Sequence, residues 1–266
     1  MKDNLFELKD LFNKFLNELE KEIYSKDFLK ALKNAQKIDS NHYKKIISVD
    51  TLKNIINDYR EYENFEKNFK KVLILLPGNP EIVFRLGIEA VMKNLDLIIG
   101  IEDFCFAQNT ILIEAINNVI EKIRFKNKVK FKNLINDLDI IENSKLVEKI
   151  IIIGNSNLYN RLQNKIDVTL NSYGIFDVYS DSEEFYELQE MIFEIFAQNE
   201  FEVEFYDDLE FDDAIRIINK QSYKFCSILF TNDKNKTKEF KEKIDSEYVI
   251  VNQNPFKEIK FKLEIE

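Results

Sequence analysis

The sequence predicts an α/β protein with a doubly wound, mostly parallel sheet, and two observations carry that prediction. The first is residues 72–99. Val72 to Leu76 is a continuous apolar run, Pro77 and Gly78 stop it, and an amphipathic run leads to a second apolar run at Leu95 to Ile99. The second is that short apolar runs and helical stripes keep alternating through residues 111–251. Apolar runs of this length suit strands buried on both faces, and strand–helix–strand units cross over right-handed to give parallel strands.

Within the first unit, Asn79 is suited to cap a helix and Pro80 to occupy its first turn, where a missing N–H costs nothing. Ile82, Val83, Leu86, Ala90 and Val91 share the buried face of that helix. The Pro77–Asn79 turn lies at the carboxyl end of a strand, where open α/β sheets bind ligands. Upstream, residues 3–24, 27–38 and 50–62 read as three amphipathic helices without a strand signal, their stripes expected to pack on the sheet. Downstream, Ile111 to Ile123 is a strong helical stripe, Val129 to Phe131 a short strand, and residues 133–148 are ambiguous.

Lys149 to Ile153 is a buried strand ended by Gly154, Asn155 and Ser156, with a helix beginning by Leu158. Strands follow at Asp167–Leu170 and Ile175–Tyr179, and a helix capped by Ser182 at 182–197. Phe201 to Phe205 alternates with period two, the mark of a half-exposed strand. Leu209–Lys220 is helical, Ser227–Phe230 a strand, Asn232 caps a helix to Ile244, and Tyr248–Val251 is a strand. Ile259 to Ile265 alternates strictly, with the lysines and glutamates that guard an exposed edge. The expected organisation is a helical segment at 1–64, an α/β domain at 65–257, and an edge or dimerisation strand at 258–266. That strand is the expected route to a homo-oligomer or a protein partner.

Composition bounds the function. Of 266 residues 45% are hydrophobic, enough for a sizeable core, and 38 basic against 48 acidic residues give a net charge of −10. That balance argues against nucleic acid or an anionic membrane as partner. No apolar stretch reaches membrane-spanning length and no signal-peptide pattern opens the chain, so a cytoplasmic protein is expected. Cys105 and Cys226 lack the spacing of a disulfide framework or a zinc site. The single histidine, His42, sits in the helical part. Asp207, Asp208, Asp212 and Asp213 lack the pattern of a calcium loop and suit a helix start, favoured by its dipole. Gly154-Asn155-Ser156 before a helix can cradle a phosphate through backbone N–H groups. The 23 Phe and 11 Tyr fall mostly at core spacings.

The order of segments resembles the aldehyde dehydrogenase superfamily, most of all its relatives gamma-glutamyl phosphate reductase and acyl-CoA reductase. Pro77 to Pro80 resembles the family's Pro-x-Asn turn, Val91 to Gly100 its second strand, and Ile151 to Asn155 the strand before its cofactor loop. Tyr206 to Asn219, Ser227 to Thr231 and Val249 to Asn252 resemble its return from catalytic to cofactor domain. The resemblance covers residues 65–255. It implies a Rossmann-like cofactor domain, NAD or NADP as cofactor, and oxidation or reduction of aldehydes or acyl thioesters. It also implies cofactor contacts from Leu76, Pro77, Asn79, Gly154, Asn155 and Ser156, with Asn79 matching an oxyanion-stabilising asparagine.

The departures from the family pattern are as informative. Members carry a domain with a nucleophilic cysteine between the segments resembling 182–198 and 201–231, where this chain has only a few residues. Neither Cys105 nor Cys226 falls at the nucleophile's position. The family's general base would lie near Asn171, Gly100 replaces a ribose-holding lysine, and Tyr159 replaces a glycine of the cofactor loop. The expectation is a truncated, degenerate relative with no catalytic residue of its own. The alternative is a non-catalytic interaction protein or a nucleotide-binding module.

Overall fold

The computed structural model describes residues 2–40, 46–60, 71–101, 105–125, 128–134, 136–199, 201–221, 223–257 and 259. Three helices open the chain, α1 (Lys2–Ile23), α2 (Lys26–Asp39) and α3 (Val49–Arg60). Then come β1 (Lys71–Leu76), α4 (Pro80–Met92), β2 (Asp96–Ile101), α5 (Phe106–Ile123), β3 (Val129–Asn133), α6 (Asp137–Ser144), β4 (Lys149–Ile153), α7 (Ser156–Leu162) and β5 (Thr169–Asn171). The chain continues through β6 (Ile175–Ser180), α8 (Tyr186–Asn199), β7 (Glu202–Phe205), α9 (Phe211–Ile218), β8 (Cys226–Phe230), α10 (Lys234–Lys243) and β9 (Tyr248–Val251).

The α/β class holds, with the strands shared between two sheets. The first has the order β3-β2-β1-β4-β5 and the second β7-β6-β8-β9. β1 pairs parallel with β2, and β2 with β3; in the second sheet every pairing is parallel. The chain forms two compact units: Met1–Ile151 with Leu162–Thr169, and Ile152–Arg161 with Leu170–Glu266. The segment 65–257 thus contributes to both. The strand expected at 258–265 and the histidine at 42 lie outside the described residues, apart from Ile259.

In the first unit β1 is buried from Val72 to Leu76, as a central parallel strand must be. The stripes of the opening helices do not rest on the sheet. α1 and α2 pack on α5, and α3 packs on α1 and α4, a second helical layer over the crossover helices. An amphipathic stripe requires an apolar surface but does not say which one; α4 is buried nearly all round, and α5 adds an apolar stripe of its own from Leu112 to Ile123. Phe15, Leu16, Leu19 and Ile23 are fully buried in this layer. Polar ties complete it: Arg60 donates to Asn17 and Glu20 on α1, and the Tyr59 hydroxyl donates to Glu89 on α4 at 2.7 Å.

In the second unit one sheet face is an aromatic and aliphatic cluster around Phe176, Phe196, Phe225, Ile228 and Phe230. The other packs Leu229 against α9 and α10 through Phe211, Ile215 and Phe240. Two expected caps move. Ser182 makes no capping hydrogen bond and is followed by a 3-10 turn at Glu183–Phe185; its hydroxyl accepts from Asn232 instead. The cap of α10 is Asp233, whose carboxylate accepts from the N–H groups of Asn235 and Lys236.

Leu16→Ala should therefore lower unfolding stability by about 2–5 kcal/mol, the cost of a cavity in a closed core. Urea denaturation measures it; a loss below about 1 kcal/mol would show that the helical layer is not packed as described.

Candidate functional site

The turn after β1 is built by hydrogen bonds within its own unit. Asn79 is buried, and its side-chain oxygen accepts from the Glu81 N–H at 3.0 Å, the N-cap expected from the sequence. The Asn79 N–H donates to the Pro77 carbonyl at 2.7 Å, and Asn109, buried on α5, donates to the Gly78 carbonyl at 2.6 Å. Leu76 is buried at the strand end and Pro77 half-buried. The turn is thus held by a cap below and α5 beside it.

The next helix of this unit, α5, starts on a carboxylate of the chain. Asp39, the last residue of α2, accepts from the Ala107 N–H at 3.2 Å and the Gln108 N–H at 2.8 Å. Gln108 in turn accepts from the Ile47 N–H, and Gln36 donates to the Ile47 carbonyl. The first turn of a helix carries orphan N–H groups and partial positive charge, the combination that elsewhere binds phosphate. Here an internal anion holds it.

The turn after β4 follows the same logic in the second unit. Gly154 has φ +62°, and a Cβ there would stand 2.6 Å from the Tyr173 carbonyl oxygen. Its N–H donates to the Asn171 carbonyl at 3.0 Å. The glycine thus answers to a close backbone approach, a requirement met without any ligand. Asn155 caps α7 by accepting from the Leu158 N–H at 2.8 Å. The Ser156 N–H donates at 2.6 Å to Glu202, and the Ser156 hydroxyl donates to the same carboxylate. The place expected to cradle a phosphate holds the β7 glutamate.

Glu202 belongs to a row of carboxyl groups on one face of the second sheet. Asp177 pairs in register with Glu204, and Ile175 with Glu202. The Tyr206 oxygen lies 2.8 Å from Asp177 and 2.9 Å from Glu204, and Tyr223 donates to Glu204 at 3.1 Å. Burial, reinforced by Glu204 and Glu202, pushes Asp177 up to about 7 despite the Tyr206 hydrogen bond, which acts in the opposite direction.

Neither cysteine is placed as a nucleophile. Cys226 lies within β8, fully buried in the phenylalanine cluster, and burial raises its thiol well above the ordinary range. Cys105 is fully buried at the start of α5; neither forms a disulfide. At Gly100 a Cβ would fall 2.5 Å from a Leu134 methyl and 2.8 Å from a Leu75 methyl, so any larger side chain there requires both leucines to shift. Asn171 accepts from the Tyr173 N–H in a turn, and Tyr159 is half-buried on α7. Asp212 and Asp213 occupy the first turn of α9. Among the described residues no group of three or more His, Cys, Asp or Glu is arranged to hold a metal ion, and no helix is long and apolar enough to cross a membrane.

Sequence reasoning located both turns and missed the two carboxylates that fill helix starts. Asp39 and Glu202 stand 69 and 46 residues from the N–H groups they accept from. The alternation of Phe201 to Phe205 did carry part of the signal, since it puts Glu202 and Glu204 on one face.

No protein-family model matches the sequence, and no curated protein does. Solved structures share the fold. A probable aldehyde dehydrogenase from Listeria monocytogenes superposes with a TM-score of 0.62 at 9% identity, covering 94% of this chain and 83% of that one. Gamma-glutamyl phosphate reductase from Thermotoga maritima gives 0.59 at 12%, covering 92% and 83%. A glyceraldehyde-3-phosphate dehydrogenase from Methanocaldococcus jannaschii, complexed with NADP, gives 0.55 at 13%, covering 95% and 86%. This chain therefore shares the fold of those dehydrogenase and reductase structures.

Two outcomes test the geometry. Asp177 holds its proton more tightly when folded, so rising pH costs the folded state between the ordinary carboxylate range and about 7. Asp177→Asn should be close to neutral at pH 4, increasingly stabilising up to about pH 7 by at most about 1.4 kcal/mol per pH unit, and level above that. A pH-independent effect in urea titrations would contradict a raised proton affinity at Asp177. Glu202→Ala should cost about 1–3 kcal/mol by stranding the Ser156 N–H, and thermal unfolding unchanged from the parent would dismiss that contact.

Proposed function

We propose that this protein is a non-catalytic representative of the aldehyde dehydrogenase fold, one that acts by binding and not by hydride transfer. The observation that carries the reading is the state of its thiols. The chain has two cysteines, and both are fully buried. Thiohemiacetal chemistry needs an exposed thiolate, a donor for the developing oxyanion and a base beside them. Asn79 is the one residue retaining a matching type; it caps α4 through its side-chain oxygen, and an amide donor alone supplies neither nucleophile nor base. Loss of the nucleophile-bearing segment between residues 198 and 201 is part of the same proposal, and so is a cytoplasmic setting, in keeping with two cysteines outside any disulfide. Exposed Tyr186 and Met191 on α8 offer apolar surface to a protein partner.

The strand order of the first sheet favours a second reading, NAD or NADP binding without turnover, since β3-β2-β1-β4-β5 is an order dinucleotide-binding sheets use. Against it stands Glu202, whose charge at the start of α7 repels a phosphate. Binding of a protein is the reading supported better.

Thiol labelling of the folded protein, run beside an assay of NADP reduction with aldehydes, tests the proposal. Neither cysteine should react until denaturant is added, and no reduced cofactor should form. A thiol that labels rapidly in the folded state, together with aldehyde-dependent NADPH, would overturn it.

A further inference from the structure

We propose that the outer face of α2 in one copy of this chain packs against the outer face of α8 in a second copy. The inference rests on the reading that the protein acts by binding a protein, and it names that partner. α2 belongs to the first compact unit and α8 to the second.

On α2 the buried side carries Phe28, Leu32, Ala35 and Asp39. Lys26, Lys30, Lys33 and Lys37 follow one another at steps of four, three and four residues, so they form one exposed stripe on the opposite side. Leu29, 39% exposed, flanks that stripe on one side and Ile38, 60% exposed, on the other. α8 repeats the arrangement with the opposite charge. Ile192 and Phe196 are its buried side. Glu187, Glu190 and Glu194 form an exposed stripe opposite them, at the same steps as Lys30, Lys33 and Lys37. Tyr186, 61% exposed, and Met191, 44% exposed, flank it, one on each side. No lysine or arginine falls between residues 181 and 199.

Each face repels itself. Like charges three and four residues apart on a helix destabilise it, and both stripes consist of such pairs. Lysines set against glutamates across two helices turn both repulsions into attraction. The four flanking side chains add apolar area that the contact removes from water. Exposed ion pairs each contribute little, so the value of the match lies in a row of them at one spacing and in the rejection of like-charged faces. The partner this selects is a second copy, because every molecule carries both halves of the match.

Sedimentation of the intact protein with paired charge reversals tests this. The parent should self-associate, and added salt should weaken the association because exposed charges are screened. Lys30→Glu with Lys33→Glu should raise the dissociation constant at least about tenfold, and so should Glu187→Lys with Glu190→Lys. All four residues are exposed, so the circular dichroism of each variant should match the parent's. Mixed together, the two variants should associate again, since each then offers the charge that the other needs. A monomeric parent would overturn the proposal. So would association indifferent to the reversals, or folded variants that stay apart when mixed. Unreactive thiols in a monomeric parent would leave the non-catalytic reading standing.

Discussion

A helix that begins inside a folded protein must find acceptors for its first N–H groups, and this chain supplies them from its own carboxyl groups. Asp39 closes the start of α5, Glu202 that of α7 and Asp233 that of α10. The requirement is general, because an orphaned N–H removed from water costs free energy comparable to a lost hydrogen bond. What varies among proteins of this architecture is whether the acceptor belongs to the chain or to a ligand. Here, at α5 and α7, it belongs to the chain. The same contacts tie distant elements together: Asp39 fastens α2 to α5, and Glu202 fastens β7 to the turn after β4.

Filling these positions internally has an electrostatic consequence in the second unit. Glu202, Glu204 and Asp177 come to share a sheet face, where Tyr206, Tyr223 and Gln221 donate into the group and burial raises the affinity of Asp177 for a proton. The opposite face has no such tension. Phe176 lies 4.4 Å from Phe196 and 5.6 Å from Phe225, ring centroid to centroid, and the buried Cys226 serves there as a small apolar residue. A thiol in such surroundings is inert, so the packing that stabilises the unit also removes its only cysteine from chemistry.

Much of this was legible in the sequence. The apolar run at Val72–Leu76, the Asn79 cap with Pro80 behind it and the run at Lys149–Ile153 each express a local rule, and each appears where the rule puts it. The division into two sheets was not legible. β6 is as apolar as β4, and between β5 and β6 lie only three residues without a linker composition, so nothing local says that the strands part company. The support of α1 and α2 by α5 was equally hidden, since a stripe encodes burial but not its partner. The ligand-like roles of Asp39 and Glu202 lie further still from local rules, being contacts across tens of residues. Gly154 shows the converse: a glycine after a strand reads as a phosphate turn, while the Tyr173 carbonyl is what requires it.

The central claim is that this fold has closed its anion-holding helix starts with its own side chains. Isothermal titration of the intact protein with NADP and with NAD addresses it most directly. The account predicts no saturable heat at millimolar cofactor, and a Glu202→Gln variant that begins to bind. Saturable micromolar binding to the parent protein, undiminished by added inorganic phosphate and insensitive to Glu202, would contradict it.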